Sequence, residues 1–256
     1  MRDYCRVEVR DHTFLVTINR PERLNALHPL ANAELGEVFD DYQNDPNLWV
    51  AIITGEGRGF CAGNDLRYQA EGGERVPFPM GFGGLTHRFD LDKPVIAAVN
   101  GVAMGGGFEI ALACDLIIAS QAAVFALPEP KVGLAALAGG LNRLPRAIGP
   151  KRALGMILTG RHVDAKEGLA LGFVNEVVAA DNLLDSAMGW ANQITACAPL
   201  SVRASKQVVY QSLDNPSLED SMKTRYDAVG ALVASEDFVE GPKAFAEKRS
   251  PNWQGK

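Results

Sequence analysis

The chain has 256 residues, of which 47% are hydrophobic and 22% are charged, a composition typical of a soluble globular protein. Its 25 basic and 31 acidic residues give a net charge of −6, which argues against binding nucleic acid or an anionic membrane through a basic surface. No apolar run is long enough for a signal peptide or a transmembrane helix, so we expect neither.

The first hundred residues alternate between predicted strands and helices. Residues 5–11 and 13–20 alternate apolar and polar side chains, which predicts two paired strands. Residues 29–44 place apolar side chains on one face of an amphipathic helix. Residues 48–54 and 94–100 are continuously apolar, as buried strands are.

Glycine-rich connections separate these elements. We predict a loop at residues 55–63 and a mobile or substrate-covering loop at residues 69–84, which contain five glycines and two prolines. A helix follows at residues 108–114, and short strands follow at residues 116–119 and 124–126.

The last third of the chain is predicted to be mostly helical. From Gly139 onward the pattern is helical except for a short strand at residues 173–178, and Pro199 interrupts it again. We therefore predict an α/β fold with a core domain at residues 1–197, carrying the active site, and a helical C-terminal region at residues 198–256.

Several common site motifs are absent from the sequence. A dinucleotide-binding G-x-G-x-x-G pattern starting at Gly55 fails because Phe60 stands at the last glycine position. The chain has no Walker A loop and no G-x-S-x-G nucleophile elbow. The four cysteines and four histidines are dispersed, which disfavours a metal site and a disulfide scaffold and favours a reducing, cytoplasmic compartment.

Two glycine turns are better candidates for a functional site. Residues 60–65 and residues 101–109 each follow a buried strand and each run into a helix. Helix N-termini offer free N–H donors, and two converging donors form an oxyanion hole. Glycines can also do no more than permit tight turns, and the spacing alone leaves both interpretations open.

Carboxylates lie near both turns. Glu109 falls in the first turn of its helix, where it is either a proton-transfer group or a partner of the helix dipole. Glu129 stands between two prolines in an apolar stretch, which favours a raised pKa suited to proton transfer. The alternative is an ion pair with Lys131 or Arg143. Asp65 is expected to cap the helix that follows it.

The sequence of the two turns resembles that of the crotonase (enoyl-CoA hydratase/isomerase) superfamily, and the resemblance extends over nearly the whole chain. The matching segments include VAIITG, GFCAGNDL, LDKPVIAAVNGVAMGGGFEIALACDL, FALPEPKVGL and FVEGPKAFAEKRSPNW. The resemblance implies a crotonase-like spiral of ββα units with a helical C-terminal trimerisation region. It also implies assembly as a homotrimer or a dimer of trimers.

The resemblance assigns roles to four positions. The backbone N–H groups of Asn64 and Gly106 would form the oxyanion hole for the thioester oxygen of an acyl-CoA substrate. Glu109 would activate the water that attacks Cβ, and Glu129 would deliver a proton to Cα. No cofactor is implied, because CoA is part of the substrate.

CoA binding is implied along the first turn and at the C-terminus. Arg23 would contact the CoA phosphates, and Phe245 and Lys248 would reach the nucleotide from a neighbouring subunit. For Arg23 and Lys248 the alternative is solvated surface charge. The remaining implied substrate contacts are Ala26, Ala62, Asp65 and Leu66.

Both glutamates are present, which favours enoyl-CoA hydration, a lyase reaction of fatty acid metabolism. Isomerisation needs only one of them, and a non-catalytic acyl-CoA or RNA-binding protein needs neither. The segments FGGLT, FALPE and SEDFVEGPKAFAEKR are most similar to a branch whose acyl group carries a quaternary ammonium. Ala136 and Leu137, in a segment that lines the acyl pocket in the family, favour an apolar acyl group instead.

Overall fold

The computed structural model describes residues 2–74 and 76–256, and within them it contains ten strands, eleven α-helices and four 3-10 turns. The strands are β1 Cys5–Arg10, β2 Thr13–Ile18, β3 Val50–Gly55, β4 Gly59–Cys61, β5 Val95–Val99, β6 Val102–Met104, β7 Leu116–Ser120, β8 Val124–Ala126, β9 Val163–Asp164 and β10 Glu176–Val178. The helices are α1 Pro29–Asn44, α2 Leu66–Ala70, α3 Gly106–Ala113, α4 Gly140–Ile148, α5 Pro150–Ile157, α6 Ala165–Leu171, α7 Leu183–Thr195, α8 Pro199–Leu213, α9 Leu218–Lys223, α10 Asp227–Val233 and α11 Glu236–Glu247. The 3-10 turns are Pro21–Arg23, Phe82–Gly84, Glu129–Val132 and Ala180–Asn182.

The larger sheet has six strands in the order β1-β2-β3-β5-β7-β10. Its first pair is antiparallel and the other pairs are parallel. Helices cover both faces, which is why β3 and β5 are apolar at successive positions. In β3, Ile53 packs into the core that includes α1, whereas Ile52 packs on the other face with Leu183 and Ala187 of α7.

The smaller sheet contains the strands β4, β6, β8 and β9, in that order. The first three run parallel, with Cys61 paired to Ala103 and Met104 paired to Ala126. Parallel strands end at the same edge of a sheet. The chain segments that leave β4, β6 and β8 therefore start side by side, and they lead to Asn64, Gly106 and Glu129.

The predicted α/β class is confirmed, and the predicted helix at residues 29–44 has the predicted bounds. The predicted loop at residues 55–63 is wrong in part, because it contains β4. The strands β6 and β9 were not predicted, and the strand expected at residues 173–178 covers Glu176–Val178 alone. Strands of two or three residues give too short a pattern to stand out from a glycine-rich sequence.

The predicted loop at residues 69–84 is also wrong at both ends. Helix α2 extends to Ala70, and Phe82–Gly84 form a buried 3-10 turn against helix α1. Position 75, which falls in this predicted loop, lies outside the described residues.

The C-terminal helices are tied to the larger sheet by ion pairs. Lys206 of α8 contacts Asp115 at 2.8 Å, and Arg203 contacts Asp92 at 2.9 Å. Helix α8 begins at Pro199, next to the boundary expected at residues 197 and 198, but the division into domains stays a prediction. Among the helices of the described residues, none combines the length and apolar character needed to cross a bilayer.

Candidate active site

The turn after β4 lies directly against the turn after β6. A side-chain carbon added to Gly63 would fall 3.1 Å from the backbone nitrogen of Gly106 and 2.7 Å from the carbonyl oxygen of Met104. Neither the backbone N–H of Asn64 nor that of Gly106 donates to an acceptor within residues 2–74 and 76–256, whereas the side-chain amide of Asn64 donates to Gln69 at 2.9 Å. The two turns thus bring two backbone N–H groups close together, and their use as an oxyanion hole stays a prediction.

Each glycine of the triple GGG has its own neighbour that leaves no space for a side chain. An added carbon at Gly105, whose φ is +52°, would lie 2.7 Å from Oε1 of Glu129. At Gly106 it would lie 2.5 Å from the ring of Phe82, and at Gly107 1.9 Å from the carbonyl oxygen of Cys61. The glycines therefore do more than permit a turn, since they let the backbone approach an acidic side chain, an aromatic ring and the neighbouring strand.

The turn that carries Asn64 is held by main-chain bonds to Leu27. The N–H of Leu27 donates to the carbonyl of Gly63 at 2.8 Å, and the N–H of Asp65 donates to the carbonyl of Leu27 at 3.0 Å. The carboxylate of Asp65 caps α2 by accepting from the N–H of Tyr68 at 3.1 Å and pairs with Arg20 at 3.0 Å.

These contacts define what Asp65 does. Burial raises the pKa of the Asp65 carboxyl, but the Tyr68 N–H and Arg20 outweigh it and hold the pKa below its ordinary value. The predicted cap is confirmed. The charge of Asp65 is already paired with that of Arg20. A direct contact between Asp65 and CoA stays a prediction.

Glu109 is buried, with 3% of its surface exposed. It stands in the first turn of α3, yet its carboxylate accepts from the N–H of Gly140 at 2.8 Å, at the start of α4. Burial raises the pKa of Glu109 from 4.5 to about 7; the Gly140 N–H lowers it, and the charge of Glu129 raises it further. This pKa favours proton transfer near neutral pH over simple pairing with the helix dipole, and the catalytic role of Glu109 stays a prediction.

Glu129 begins the 3-10 turn that follows β8. Its Oε1 faces Gly105, and its Oε2 is buried without a hydrogen-bond partner within the described residues. Burial raises the pKa of Glu129 as well. The alternative pairing with Lys131 or Arg143 is absent from the described part of the chain, and Arg143 donates to the carbonyl of Thr86 at 2.8 Å instead.

The two glutamates are electrostatically coupled, and Glu109 has the larger pKa shift. Two coupled carboxyls titrate as a pair, in which the second proton leaves with difficulty because like charges repel. Burial raises the pKa of both carboxyls, so the pair keeps a proton to higher pH than an ordinary glutamate does.

The other predicted contacts lie around the Asn64 turn or at the C-terminus. Arg23 is exposed in the first 3-10 turn, and Ala62 donates its N–H to the carbonyl of Leu24 at 3.0 Å. Ala26 is buried and Leu66 is exposed. Phe245 and Lys248, at the end of α11, are both exposed. Contact of any of these residues with CoA stays a prediction.

Sequence reasoning missed the groups that position the site. Gly140 supplies the N–H that holds Glu109, Phe82 covers Gly106, and Asn32 holds the turn that contains Phe82. The pair Gly139-Gly140 before an amphipathic helix was a usable signal for a helix N-terminus. The contact between Asn32 and Gly83 joins residues 51 positions apart, and no local pattern indicates it.

Metal ligands do not cluster in this region. Across residues 2–74 and 76–256, no three His, Cys, Asp or Glu side chains are grouped so that they could hold one ion.

Comparisons with known proteins agree with this geometry. The family model described as "Enoyl-CoA hydratase/isomerase" matches residues 8–256. The carnitinyl-CoA dehydratase of Proteus mirabilis is 46% identical over 100% of both chains, and that of Citrobacter koseri is 48% identical over 94% of each. The crystal structure of an enoyl-CoA hydratase from Mycobacterium tuberculosis matches 99% of each chain with a TM-score of 0.93 and 40% identity. These matches confirm the predicted crotonase-like fold.

Proposed function

The chain belongs to the enoyl-CoA hydratase/isomerase family, and we propose that it adds water reversibly to a 2-enoyl-CoA thioester through Asn64, Gly106, Glu109 and Glu129. It is a hydro-lyase of that family. The observation that carries the proposal is the junction of three turns at one edge of the smaller sheet. It brings two N–H donors that have no acceptor within the described residues close to buried Glu109 and half-buried Glu129.

The two N–H groups would act on the thioester oxygen. Attack of water at Cβ builds negative charge on that oxygen, and fixed donors stabilise this charge more strongly than water does. Each such donor typically contributes about 3 kcal/mol to the transition state. Because only the backbone takes part, the side chain of Asn64 need not contact the substrate.

The glutamates would move the protons. In hydration, Glu109 takes a proton from the attacking water and Glu129 gives a proton to Cα; in dehydration, each group does the reverse. Hydration requires the proton on Glu129, and dehydration requires it on Glu109. Burial raises the pKa of both carboxyls, which favours a proton on the pair near neutral pH.

A second candidate is carnitinyl-CoA dehydration, because relatives of that name are 46–48% identical over 94–100% of the chain. Two features of the site favour an uncharged acyl group instead. Arg143 lies close enough to Glu109 to lower its pKa, so its positive charge opposes a quaternary ammonium. Leu137, in the segment that precedes α4, is 77% exposed and offers apolar surface rather than a counter-charge.

The deciding experiment measures the loss of enoyl-thioester absorbance with crotonyl-CoA and, separately, with crotonobetainyl-CoA. We expect kcat/KM to be higher with crotonyl-CoA. A higher kcat/KM with crotonobetainyl-CoA would establish the second candidate. Binding of crotonyl-CoA without turnover of either compound would favour a non-catalytic acyl-CoA-binding protein.

The roles of the glutamates are tested by Glu109→Gln and Glu129→Gln. Each should lower kcat by about 10²- to 10⁴-fold, the usual contribution of a general acid or base. Glu219→Gln, at an exposed ion pair with Lys223, is the matched control and should leave kcat unchanged. Full activity in both active-site variants would refute the assignment. Migration of the double bond without hydration would indicate an isomerase.

The assembly follows from the same proposal. The C-terminal region, residues 198–256, exposes many apolar side chains, as expected of a surface that subunits cover in a trimer or a dimer of trimers. They are Val209, Tyr210, Leu213, Leu218, Met222, Val233, Phe238, Val239 and Phe245. Light scattering should give three or six chain masses, and a monomeric mass would contradict the proposal.

The four cysteines are free, which fits a cytoplasmic location.

A further inference from the structure

Asn32 is a buried polar residue of α1 that takes no part in the chemistry described above. Its side chain is enclosed, with 2% of the residue exposed. Its Oδ1 accepts from the N–H of Gly83 at 2.7 Å, and its Nδ2 donates to the carbonyl of His28 at 3.2 Å. A buried amide with both ends paired fixes the relative position of the two segments that it joins.

The segment that Asn32 holds lies against α3, where the oxyanion donor Gly106 is the first residue. The ring of Phe82 approaches Gly106 so closely that an added carbon there would lie 2.5 Å from it. An added carbon at Gly83 would lie 2.4 Å from Ile110, also in α3. Displacement of Phe82 and Gly83 therefore opens space beside Gly106 and Ile110, at the start of α3.

The start of α1 also supports the other proposed oxyanion donor, the backbone N–H of Asn64. Leu27, which exchanges two main-chain bonds with the Asn64 turn, directly precedes His28. The carbonyl of His28 accepts from the Asn32 side chain. Hydrogen bonds thus connect the Asn64 turn through the first turn of α1 to Gly83, and the neighbouring Phe82 packs against Gly106.

We propose that Asn32 is a positioning residue that fixes the two oxyanion donors relative to each other by holding Phe82 against Gly106. This inference rests on the proposed use of the Asn64 and Gly106 amides. Donors act strongly in the transition state when they are preorganised, and a misplacement of about 1 Å can lower the rate by about 100-fold. Loss of the Asn32 bond should therefore act on kcat rather than on substrate binding.

The test compares Asn32→Ala with Asn32→Asp in the full chain. The alanine variant loses both bonds, and we expect kcat to fall by about 10- to 100-fold with little change in KM. The aspartate variant keeps an acceptor for the Gly83 N–H but loses the donor to the His28 carbonyl, so it should recover only part of kcat. Phe82→Leu, which removes the ring but leaves the Asn32 bond, should lower kcat in the same way.

Asn175→Ala is the matched control. Its Oδ1 accepts from the main-chain N–H of Ile117 at 2.8 Å, an equivalent bond at the start of β7. We expect the Asn175→Ala protein to have a lower melting temperature than wild type and the same kcat. An equal loss of kcat in the Asn175 and Asn32 variants would overturn the proposal, because the effect would then be one of general stability.

A second measurement reports on the oxyanion hole without turnover. Butyryl-CoA labelled with ¹³C at the thioester carbonyl cannot be hydrated, and its carbonyl stretch falls in frequency when it accepts hydrogen bonds. We expect a lowered frequency in the wild-type complex and a return toward the free value in Asn32→Ala. If Asn32→Ala keeps the kcat and the carbonyl stretching frequency of the wild type, the role of Asn32 is overturned and the proposed function stands. If the wild-type protein hydrates no enoyl-CoA, the proposed function is overturned.

Discussion

The N–H of Gly140 donates to Oε1 of Glu109 at 2.8 Å, so the first residue of α4 holds a carboxylate that belongs to α3. The N-terminus of a helix stabilises the ionised form of a carboxyl. Burial of Glu109 outweighs this contact, and the negative charge of Glu129 adds to the effect of burial. The result is a pKa of about 7, which has consequences for both stability and rate.

Glu109→Gln should stabilise the protein at alkaline pH. The pKa of Glu109 rises from 4.5 to about 7 on folding, so the folded state binds more protons than the unfolded state between these values. Stability therefore falls as pH rises through this interval, by about 3 kcal/mol once the carboxyl is ionised. Glutamine carries no such cost, so the variant should be more stable than wild type at pH 8, and the difference should shrink toward pH 4.5.

The measurement is the free energy of unfolding in urea at several pH values. Glu219→Gln should follow the wild type throughout, because Glu219 is exposed. A Glu109→Gln variant that is less stable than wild type at pH 8 would contradict a pKa raised by burial.

The rate of hydration should fall as pH rises through about 7. The proposed mechanism needs one proton on the glutamate pair, and above this pH the pair loses it. Hydration releases no net proton, so kcat/KM for crotonyl-CoA and for 3-hydroxybutyryl-CoA must have the same pH profile. Initial rates in both directions from pH 5 to 9 provide the test. A flat profile in either direction would exclude a shared proton on this pair.

The main sheet and its covering helix could be predicted from the sequence because their patterns are local. The helix at residues 29–44 has an apolar face, and residues 48–54 and 94–100 are long enough to show the apolar run of a buried strand. Of the smaller sheet, only β8 was predicted, since β4 and β6 have three residues each and pair with each other across about 40 positions. Only that pairing brings the turns together.

Gly105→Ala should lower kcat through Glu129. Gly105 has φ of +52°, which strains any other residue, and an added carbon would lie 2.7 Å from Oε1 of Glu129. The carboxylate would have to move, and a displaced proton donor loses much of the 10²- to 10⁴-fold contribution of general acid catalysis, so we expect a fall of about 100-fold. Steady-state rates with crotonyl-CoA measure the effect.

Gly155→Ala is the control for a change of glycine to alanine. Gly155 lies within α5 and has open space at the position of an added carbon. Alanine there should stabilise the helix by about 0.5–1 kcal/mol and leave kcat unchanged. A Gly105→Ala variant with wild-type kcat would mean that Glu129 is not held in place by this glycine.

The sequence indicates the two glutamates as candidates, but it does not indicate their protonation. Glu109 follows a triple glycine and Glu129 stands between prolines, and the family resemblance gives both of them a role that stays a prediction. The pKa of Glu109 depends on Gly140, 31 positions away, and on the burial that the assembled helices create. Such contacts depend on the complete fold, so sequence patterns do not indicate them.

His28→Asn should make the protein less sensitive to acid. His28 caps α1, with Nδ1 accepting from the N–H of Ala31 at 3.1 Å, and its ring lies between those of Tyr4 and Tyr68. Only the neutral ring can accept this bond. Burial and the charge of Arg20 lower the pKa of His28, although Asp65 raises it slightly. At acid pH the unfolded state therefore binds more protons than the folded state. The contribution of the neutral His28 ring to the free energy of unfolding is complete above about pH 6.5, the pKa of an unfolded histidine. It is lost as pH falls from there through the lower pKa of His28 in the folded protein.

Asparagine is a good helix cap that does not titrate, so the variant should keep the cap and lose this pH dependence. Unfolding free energies between pH 8 and pH 5 should fall less steeply for His28→Asn than for wild type. The exposed His162 gives the matched control, because His162→Asn removes a histidine that caps no helix. Equal slopes in His28→Asn and wild type would show that the cap does not depend on the neutral ring, and that the support of α1 beneath the Asn64 turn survives protonation of His28.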